Sequence, residues 1–211
     1  MKVAVFGATG KTGQELVRQA LERGYDVVAY ARDSSRIAIE SPRLVKMSGE
    51  LDNREAIKNA IEGSDCVLSA LGPIGKPGDE ELSNGVLNIL SMMDECGTNR
   101  LVALSTTSAQ DPQDKEGFRT KLRRDMVRRG RRTSYEQIRN YSQLIRDSNC
   151  DWTLVRIAAL LNDKPLSKHV RAGYLGRDTF RNTLSRADLA WFMLEQVNGS
   201  EYSHKAPAVS N

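Results

Sequence analysis

Seven residues, Gly7-Ala8-Thr9-Gly10-Lys11-Thr12-Gly13, constrain this chain more than any other stretch. They follow the β-branched and aromatic run Val3-Ala4-Val5-Phe6. They precede Leu16, Val17, Ala20 and Leu21, which share one face of a helix. Glycines between a strand and a helix permit a tight turn, let a pyrophosphate approach the backbone, and let the helix pack on the strand. The helix start then offers free N–H groups and a positive dipole end to an anion. The spacing G-x-x-x-x-G-K of a phosphate-binding loop is absent, so Lys11-Thr12 is not the pair of such a loop. The turn therefore predicts dinucleotide binding through Gly7, Gly10 and Gly13.

The remaining pattern supplies the sheet that such a turn needs. The first helix stops at Gly24, a glycine suited to the position after a helix end. Strands are predicted at Asp26–Ala31, Leu44–Met47, Cys66–Leu71, Leu101–Ser105 and Trp152–Ile157. Asp52 with Glu55 predicts a capping box for a helix through Ile61, closed by Gly63. Gly72 to Gly78 reads as a loop, and a helix follows from about Glu80 to Cys96. Ser185 is placed to cap a last helix, with Leu189, Phe192, Met193 and Val197 as its buried stripe. Strands alternating with helices predict an α/β fold, a doubly wound parallel sheet of the Rossmann type. Residues 1–211 read as one NAD(P)-binding domain, with a small substrate-side region after the sixth strand.

Composition narrows the setting. No apolar run approaches the ~18–20 residues of a membrane span, and the N-terminus enters a strand at once, which reads as cytoplasmic. Cys66, Cys96 and Cys150 lie far apart without C-x-x-C spacing, which points away from a disulfide framework or a metal site. The net charge of +4 is unevenly spread: residues 115–146 hold 11 Lys/Arg against 3 Asp/Glu.

The end of the second strand chooses between dinucleotides. An acid there holds the ribose 2′-hydroxyl of NAD. Here the chain reads Tyr30-Ala31-Arg32-Asp33-Ser34-Ser35-Arg36, with Arg32 where the acid is expected. A guanidinium pairs bidentately with a 2′-phosphate, and Arg36 adds a second charge, so the segment predicts NADPH. Asp33 is the counter-signal, unless it caps the short helix that follows.

With these motifs in hand, the chain resembles the atypical short-chain dehydrogenases, in the NmrA-like NAD(P)H-binding group. Within it, the resemblance is to the biliverdin reductase B branch of NADPH-dependent flavin reductases. The shared pieces are F-G-A-T-G-x-T-G at Phe6–Gly13, R-D-S-S-R at Arg32–Arg36, and Asp188-Leu189 followed by Phe192-Met193-Leu194. The resemblance implies that Thr9, Gly10, Lys11 and Thr12 hold the pyrophosphate, and that Arg32, Ser35 and Arg36 take the 2′-phosphate. It implies that Glu50-Leu51 flank adenine, where Gly-Asp is usual, and that Leu71-Gly72 line the ribose side. Leu104, Ser105 and Thr106 would reach the nicotinamide, with Ala159 and Leu160 over its other edge. Two features depart from the branch. No histidine stands near Ala159, since His169 and His204 do not align with it, and Ile157 replaces the usual proline after Arg156. A biliverdin-type substrate therefore does not carry over.

The family's Tyr-x-x-x-Lys pair, in which the phenol protonates the substrate oxygen, corresponds here to Tyr135 and Arg139. Residues i and i+4 share a helix face, and a guanidinium lowers a phenol pKa. Two readings stand: a catalytic Tyr135, or a packing tyrosine on a basic helix. Thr106 is the other candidate to touch the acceptor. The basic insert, 111–134, carries nine Lys/Arg between Lys115 and Arg132, with Phe118, Leu122, Met126 and Val127 at helical spacing. It reads as a solvated helix flanking the site, a lid for an anionic small-molecule acceptor, or a partner surface. Without a base-reading motif, a nucleic-acid partner is disfavoured. The expected activity is NADPH-dependent reduction of a flavin-, quinone- or conjugated carbonyl-like acceptor. The alternative is a non-catalytic NAD(P)-sensing regulator of the NmrA type.

Overall fold

The computed structural model describes residues 1–72, 81–115, 117, 130 and 132–211. In chain order its elements are β1 (Lys2–Phe6), α1 (Lys11–Glu22), β2 (Asp26–Ala31), a 3₁₀ turn (Ser34–Arg36), β3 (Leu44–Ser48), α2 (Arg54–Ile61), β4 (Cys66–Ser69), α3 (Glu81–Cys96) and β5 (Arg100–Thr106). There follow α4 (Arg132–Arg146), β6 (Asp151–Ile157), β7 (Leu160–Asn162), β8 (Arg171–Gly173), β9 (Thr183–Ser185), α5 (Arg186–Glu195) and β10 (Ala208–Ser210). Eight strands form one sheet in the order β3-β2-β1-β4-β5-β6-β10-β8. All its pairings are parallel except that of β8 with β10. β7 and β9 pair separately, in parallel.

Val3–Phe6 of β1 is apolar because both faces of the sheet are covered there. Val3 and Val5 pack with Leu16, Val17 and Ala20 of α1 and Leu189 and Met193 of α5. Ala4 and Phe6 face the other way, onto Ile57 and Ile61 of α2, Ile89 and Met93 of α3, and Tyr141 and Ile145 of α4. Alternate residues of one strand thus feed two cores, which is why parallel strands read as continuous apolar runs. Each fully buried Leu or Ile contributes about 1.5–3 kcal/mol relative to exposure.

Gly24 and Gly63 stand at φ +78° and +69°, ending α1 and α2 as their spacing predicts. Ser185 caps α5, its Oγ accepting from the Asp188 N–H at 2.9 Å. The capping box is displaced by one residue. Asn53, not Asp52, caps α2, its side chain accepting from the Ala56 N–H at 3.0 Å. β4 ends at Ser69, and Ala70–Gly72 leave the sheet instead of extending it. The rest of the predicted Gly72–Gly78 loop lies outside the described residues, as does the predicted helix carrying Phe118, Leu122, Met126 and Val127.

The chain leaves β1 toward β2 and β3, then returns to place β4 on the other flank of β1. That reversal opens a crevice at the carboxyl ends of β1 and β4. The far side of this edge is braced by Arg156 of β6, which is fully buried. Its guanidinium pairs with both Asp114 oxygens at 2.6 and 2.8 Å and donates to the carbonyls of Ala206 and Ala109. Asp114 also accepts from the Leu175 N–H at 2.9 Å. Burial pushes the Asp114 carboxyl up, and the Arg156 bonds and backbone donors outweigh it, leaving its pKa lowered. The start of the basic insert is thereby tied to the sheet. Cys66 and Cys150 are buried, with Cys96 partly so.

Candidate functional site

Gly7, Thr9, Gly10, Arg32, Leu51, Leu71 and Gly72 line one cavity of about 200 Å³ at the crevice. Gly7 sits at φ +76°, and a Cβ there would stand 3.0 Å from the Ala70 carbonyl carbon. At Gly13 a Cβ would fall 2.1 Å from the Gly7 carbonyl oxygen, so close packing of α1 on the turn demands glycine. Gly10 differs: a Cβ there would meet only the Gly7 oxygen, at 3.4 Å. The space beside it is open to a ligand.

Gly10 is also the N-cap of α1 and supplies no side-chain hydrogen bond. The first turn of a helix has no intrahelical acceptors for its N–H groups, so those of Lys11, Thr12 and Gly13 face the turn as donors. This donor set fits a pyrophosphate. Lys11 points elsewhere. Its Nζ lies 2.8 Å from Asp163 Oδ2, and Arg186 holds the other Asp163 oxygen at 2.5 Å. All but Arg186 are well exposed, so the contact is weak and exchangeable.

Arg32 reaches the cavity from the end of β2, is exposed, and has no ion pair among the described residues. Asp33 is turned into the chain, where it caps the 3₁₀ turn by accepting from the Ser35 N–H. Ser35 is exposed, and its hydroxyl donates to Asp33 Oδ1 at 2.6 Å, so this side chain is directed at the cap and not at the cavity. Arg36 is exposed on the same turn, outside the cavity lining. The floor is Tyr30, whose hydroxyl donates to the Glu50 carbonyl at 2.8 Å. Burial, then the charges of Glu50 and Asp52, push its phenol up to about 12, which keeps it a donor. Glu50 itself borders an adjoining cleft shared with Leu51 and Asp52.

The residues expected at the nicotinamide end are not among the cavity's lining. Leu104 is partly buried against the α1/α5 core. Ser105 is buried, and its hydroxyl lies 2.9 Å from that of Ser142, joining β5 to α4. Thr106 Oγ1 accepts from the Ser108 N–H at 3.2 Å. Ala159 is partly buried and Leu160 of β7 is 77% exposed. Tyr135 is buried, with the Arg139 guanidinium over its ring, 5.9 Å from the centroid. The spacing does bring the pair together, in a cation–π contact with the ring.

The NAD(P)H-binding family model matches residues 7–200. The chain belongs to the NAD(P)H-binding family. It is 23% identical over 212 residues to YwnB of Bacillus subtilis (strain 168), covering 97% of this chain and 96% of that protein. It is 24% identical over 213 residues to the (4-alkanoyl-5-oxo-2,5-dihydrofuran-3-yl)methyl phosphate reductase of Streptomyces griseus subsp. griseus, covering 99% of this chain and 67% of that protein. Its fold matches a short-chain dehydrogenase/reductase of Veillonella parvula DSM 2008 in complex with NADP. That match has a TM-score of 0.81 at 16% identity and covers 100% of this chain and 94% of the other.

Several residues that shape this cavity escaped the motif reading. Gly49 lies against Tyr30: a Cβ there would fall 2.2 Å from the Tyr30 hydroxyl. Leu82 and Gln137 line the cavity from α3 and α4. Tyr141 is fully buried, with its hydroxyl 3.0 Å from Ser69 Oγ and its phenol pushed by burial to about 12, and it ties α4 to β4. Among the described residues no cluster of His, Cys, Asp or Glu is placed to hold a metal ion, and no helix is long and apolar enough to cross a membrane.

Proposed function

We propose that the protein is an NADPH-dependent oxidoreductase that reduces a flavin-, quinone- or conjugated carbonyl-like acceptor. The observation that carries the cofactor choice is the opposite disposition of two neighbours: Arg32 lines the cavity while Asp33 caps its own turn. An exposed guanidinium at the end of β2 suits a 2′-phosphate, and Arg36 adds charge nearby. The named activity of the Streptomyces relative, a reductase, supports the class.

In this reading the backbone N–H groups of Lys11, Thr12 and Gly13 hold the pyrophosphate, and Leu51 and the Tyr30–Gly49 floor receive the adenine. Leu71 and Gly72 line the ribose. When bound, the reduced nicotinamide supplies a hydride. The chain contributes orientation and exclusion of water around an acceptor ring. Thr106 is the side chain at the end of β5 that can donate to an acceptor oxygen: it uses a lone pair toward the Ser108 N–H and keeps its hydroxyl proton. A strong general acid is not required where the acceptor is electron-poor and water supplies the proton.

The test is steady-state NADPH oxidation by the wild-type protein across a panel of flavins, quinones and aldehydes, repeated with NADH. The reading expects turnover of at least one conjugated acceptor, with NADPH preferred. Tight NADPH binding without turnover of any acceptor would overturn it in favour of a dinucleotide-sensing regulator.

A further inference from the structure

A second group of cationic side chains lies at the same end of the sheet, away from the dinucleotide cavity. Ser167, His169, Arg171, Arg181 and Asn211 line a separate cavity of about 570 Å³. Neither Arg171 nor Arg181 has an ion-pair partner among the described residues. No acidic side chain lines this cavity.

The fold brings these residues together across three segments distant in sequence. Arg171 of β8 pairs in register with Ser210 of β10, and the Arg181 N–H donates to Ser210 Oγ at 2.9 Å. β10 runs parallel to β6, so Ser210 lies at the carboxyl end of the sheet, where Gly7 and Gly72 also lie. The neighbour of Arg181 ties this cavity to β7: the Asn182 carbonyl accepts from the Leu160 N–H at 3.0 Å, and the family resemblance puts Leu160 beside the nicotinamide.

The opposite wall is held in place from below. Asp188 is fully buried and accepts from the Ser167 N–H at 2.9 Å, the Ser167 hydroxyl at 3.0 Å and the Lys168 N–H at 2.7 Å. The Ser185 hydroxyl and the Asn211 amide also donate to it. This clamp keeps Lys168 at φ +59°, a left-handed conformation that a lysine adopts only when its surroundings impose it. Five donors surround the Asp188 carboxylate, and neither arginine is among them. The Nδ1 of His169 lies 2.6 Å from the Ser167 carbonyl. A carbonyl only accepts, so Nδ1 carries the proton and Nε2 is left for a ligand.

We propose that this cavity is a subsite for a phosphate monoester carried by the acceptor. Arg171 and Arg181 supply bidentate charge-assisted donors, with the His169 ring on the rim. The proposal rests on the reductase reading and extends it by naming a charged group on the substrate.

Flavin mononucleotide and riboflavin differ by one phosphate monoester and so form a matched pair of probes. With the full chain saturated in NADP⁺, so that the dinucleotide's own phosphate contacts are occupied, calorimetry should show flavin mononucleotide binding at least tenfold more tightly than riboflavin. Arg171→Gln with Arg181→Gln should remove that difference, while thermal unfolding confirms that the fold is intact. In turnover, the double variant should raise KM for flavin mononucleotide about tenfold and leave riboflavin kinetics as they were. Equal binding of the two flavins by the wild type, or an undiminished preference in the double variant, would overturn the subsite. Absence of turnover with both flavins would count against the flavin-reductase reading alone, because the calorimetric comparison decides the subsite without chemistry.

Discussion

Asp33 accepts from Ser35 twice, from its N–H at 3.1 Å and from its hydroxyl at 2.6 Å. Those two bonds, with the charge of Arg36, hold the Asp33 carboxyl below its ordinary range. An acid in this part of a dinucleotide fold usually signals NAD, because it takes the ribose 2′-hydroxyl. Here it is committed to the backbone of its own turn, and Arg32 is the residue that meets the cavity.

Arg32→Ala is therefore expected to weaken NADPH binding by roughly 1.5–3 kcal/mol, about ten- to a hundredfold, the range for losing a hydrogen bond to a charged group. NADH binding should be nearly unchanged. Calorimetric titration of both cofactors checks it, and equal losses for the two would refute the 2′-phosphate assignment.

Two glycines of the turn separate by what a side chain would meet at each. A Cβ at Gly13 would fall 2.1 Å from a backbone oxygen, and one at Gly10 only 3.4 Å from the same atom. Gly13→Ala should destabilise the fold by several kcal/mol, since neither backbone partner can yield cheaply. Gly10→Val should retain stability within about 1 kcal/mol and lose dinucleotide binding, because its side chain fills the space beside the α1 donors. Urea unfolding together with NADPH titration of both variants tests the pair; wild-type affinity in Gly10→Val would remove the turn from the site.

Asp188 makes stability depend on pH. Burial raises its carboxyl pKa, but the bonds from Ser185, Ser167 and Lys168 prevail and the net shift is downward. The unfolded group titrates near 3.9. Above that value both states are ionised and the contribution is complete. As pH falls from the ordinary carboxylate range toward the lower folded pKa, the unfolded chain takes up the proton first and the contribution is lost. Asp188→Asn should cost on the order of 1.5–3 kcal/mol at pH 7. It should also flatten the fall in stability between pH 5 and the acid limit, measured as the urea midpoint against pH. A variant whose midpoint falls as steeply as that of the wild type would contradict this assignment.

Much of this architecture was legible because local pattern and tertiary role coincide. The runs Val3–Phe6 and Val27–Ala31 are apolar since both sheet faces are covered, and Gly24 and Gly63 mark helix ends since each sits at positive φ. The cap of α2 was misplaced because Asp52 and Asn53 are both capping residues, and only the backbone geometry decides which side chain reaches the Ala56 N–H. β7 to β10 are three-residue strands, too short to carry a period of two. The contacts that brace the carboxyl edge of the sheet join residues far apart in the chain: Arg156 with Asp114, Gly49 with Tyr30. No local spacing encodes such pairs. The glycine at 49 had a readable consequence only once the Tyr30 hydroxyl was placed beneath it.

In the proposed reaction, Tyr135 and Thr106 are the two candidate side chains at the acceptor. The Arg139 guanidinium lies over the Tyr135 ring, and the tyrosine is buried. That is a stabilising contact, and it does not by itself make the phenol a proton donor. Thr106, at the carboxyl end of β5, keeps its hydroxyl proton while accepting from the Ser108 N–H. Tyr135→Phe is accordingly expected to retain kcat within a few-fold, and Thr106→Val to lower it further. General acid assistance contributes on the order of 10²–10⁴-fold, so a catalytic tyrosine would declare itself on removal. The measurement is kcat for the best acceptor at saturating NADPH, with urea unfolding of both variants to separate chemistry from stability, since Thr106→Val also deletes the Ser108 bond. A collapse of kcat by two orders of magnitude in Tyr135→Phe alone would assign the phenol as acid and turn the reaction toward carbonyl reduction.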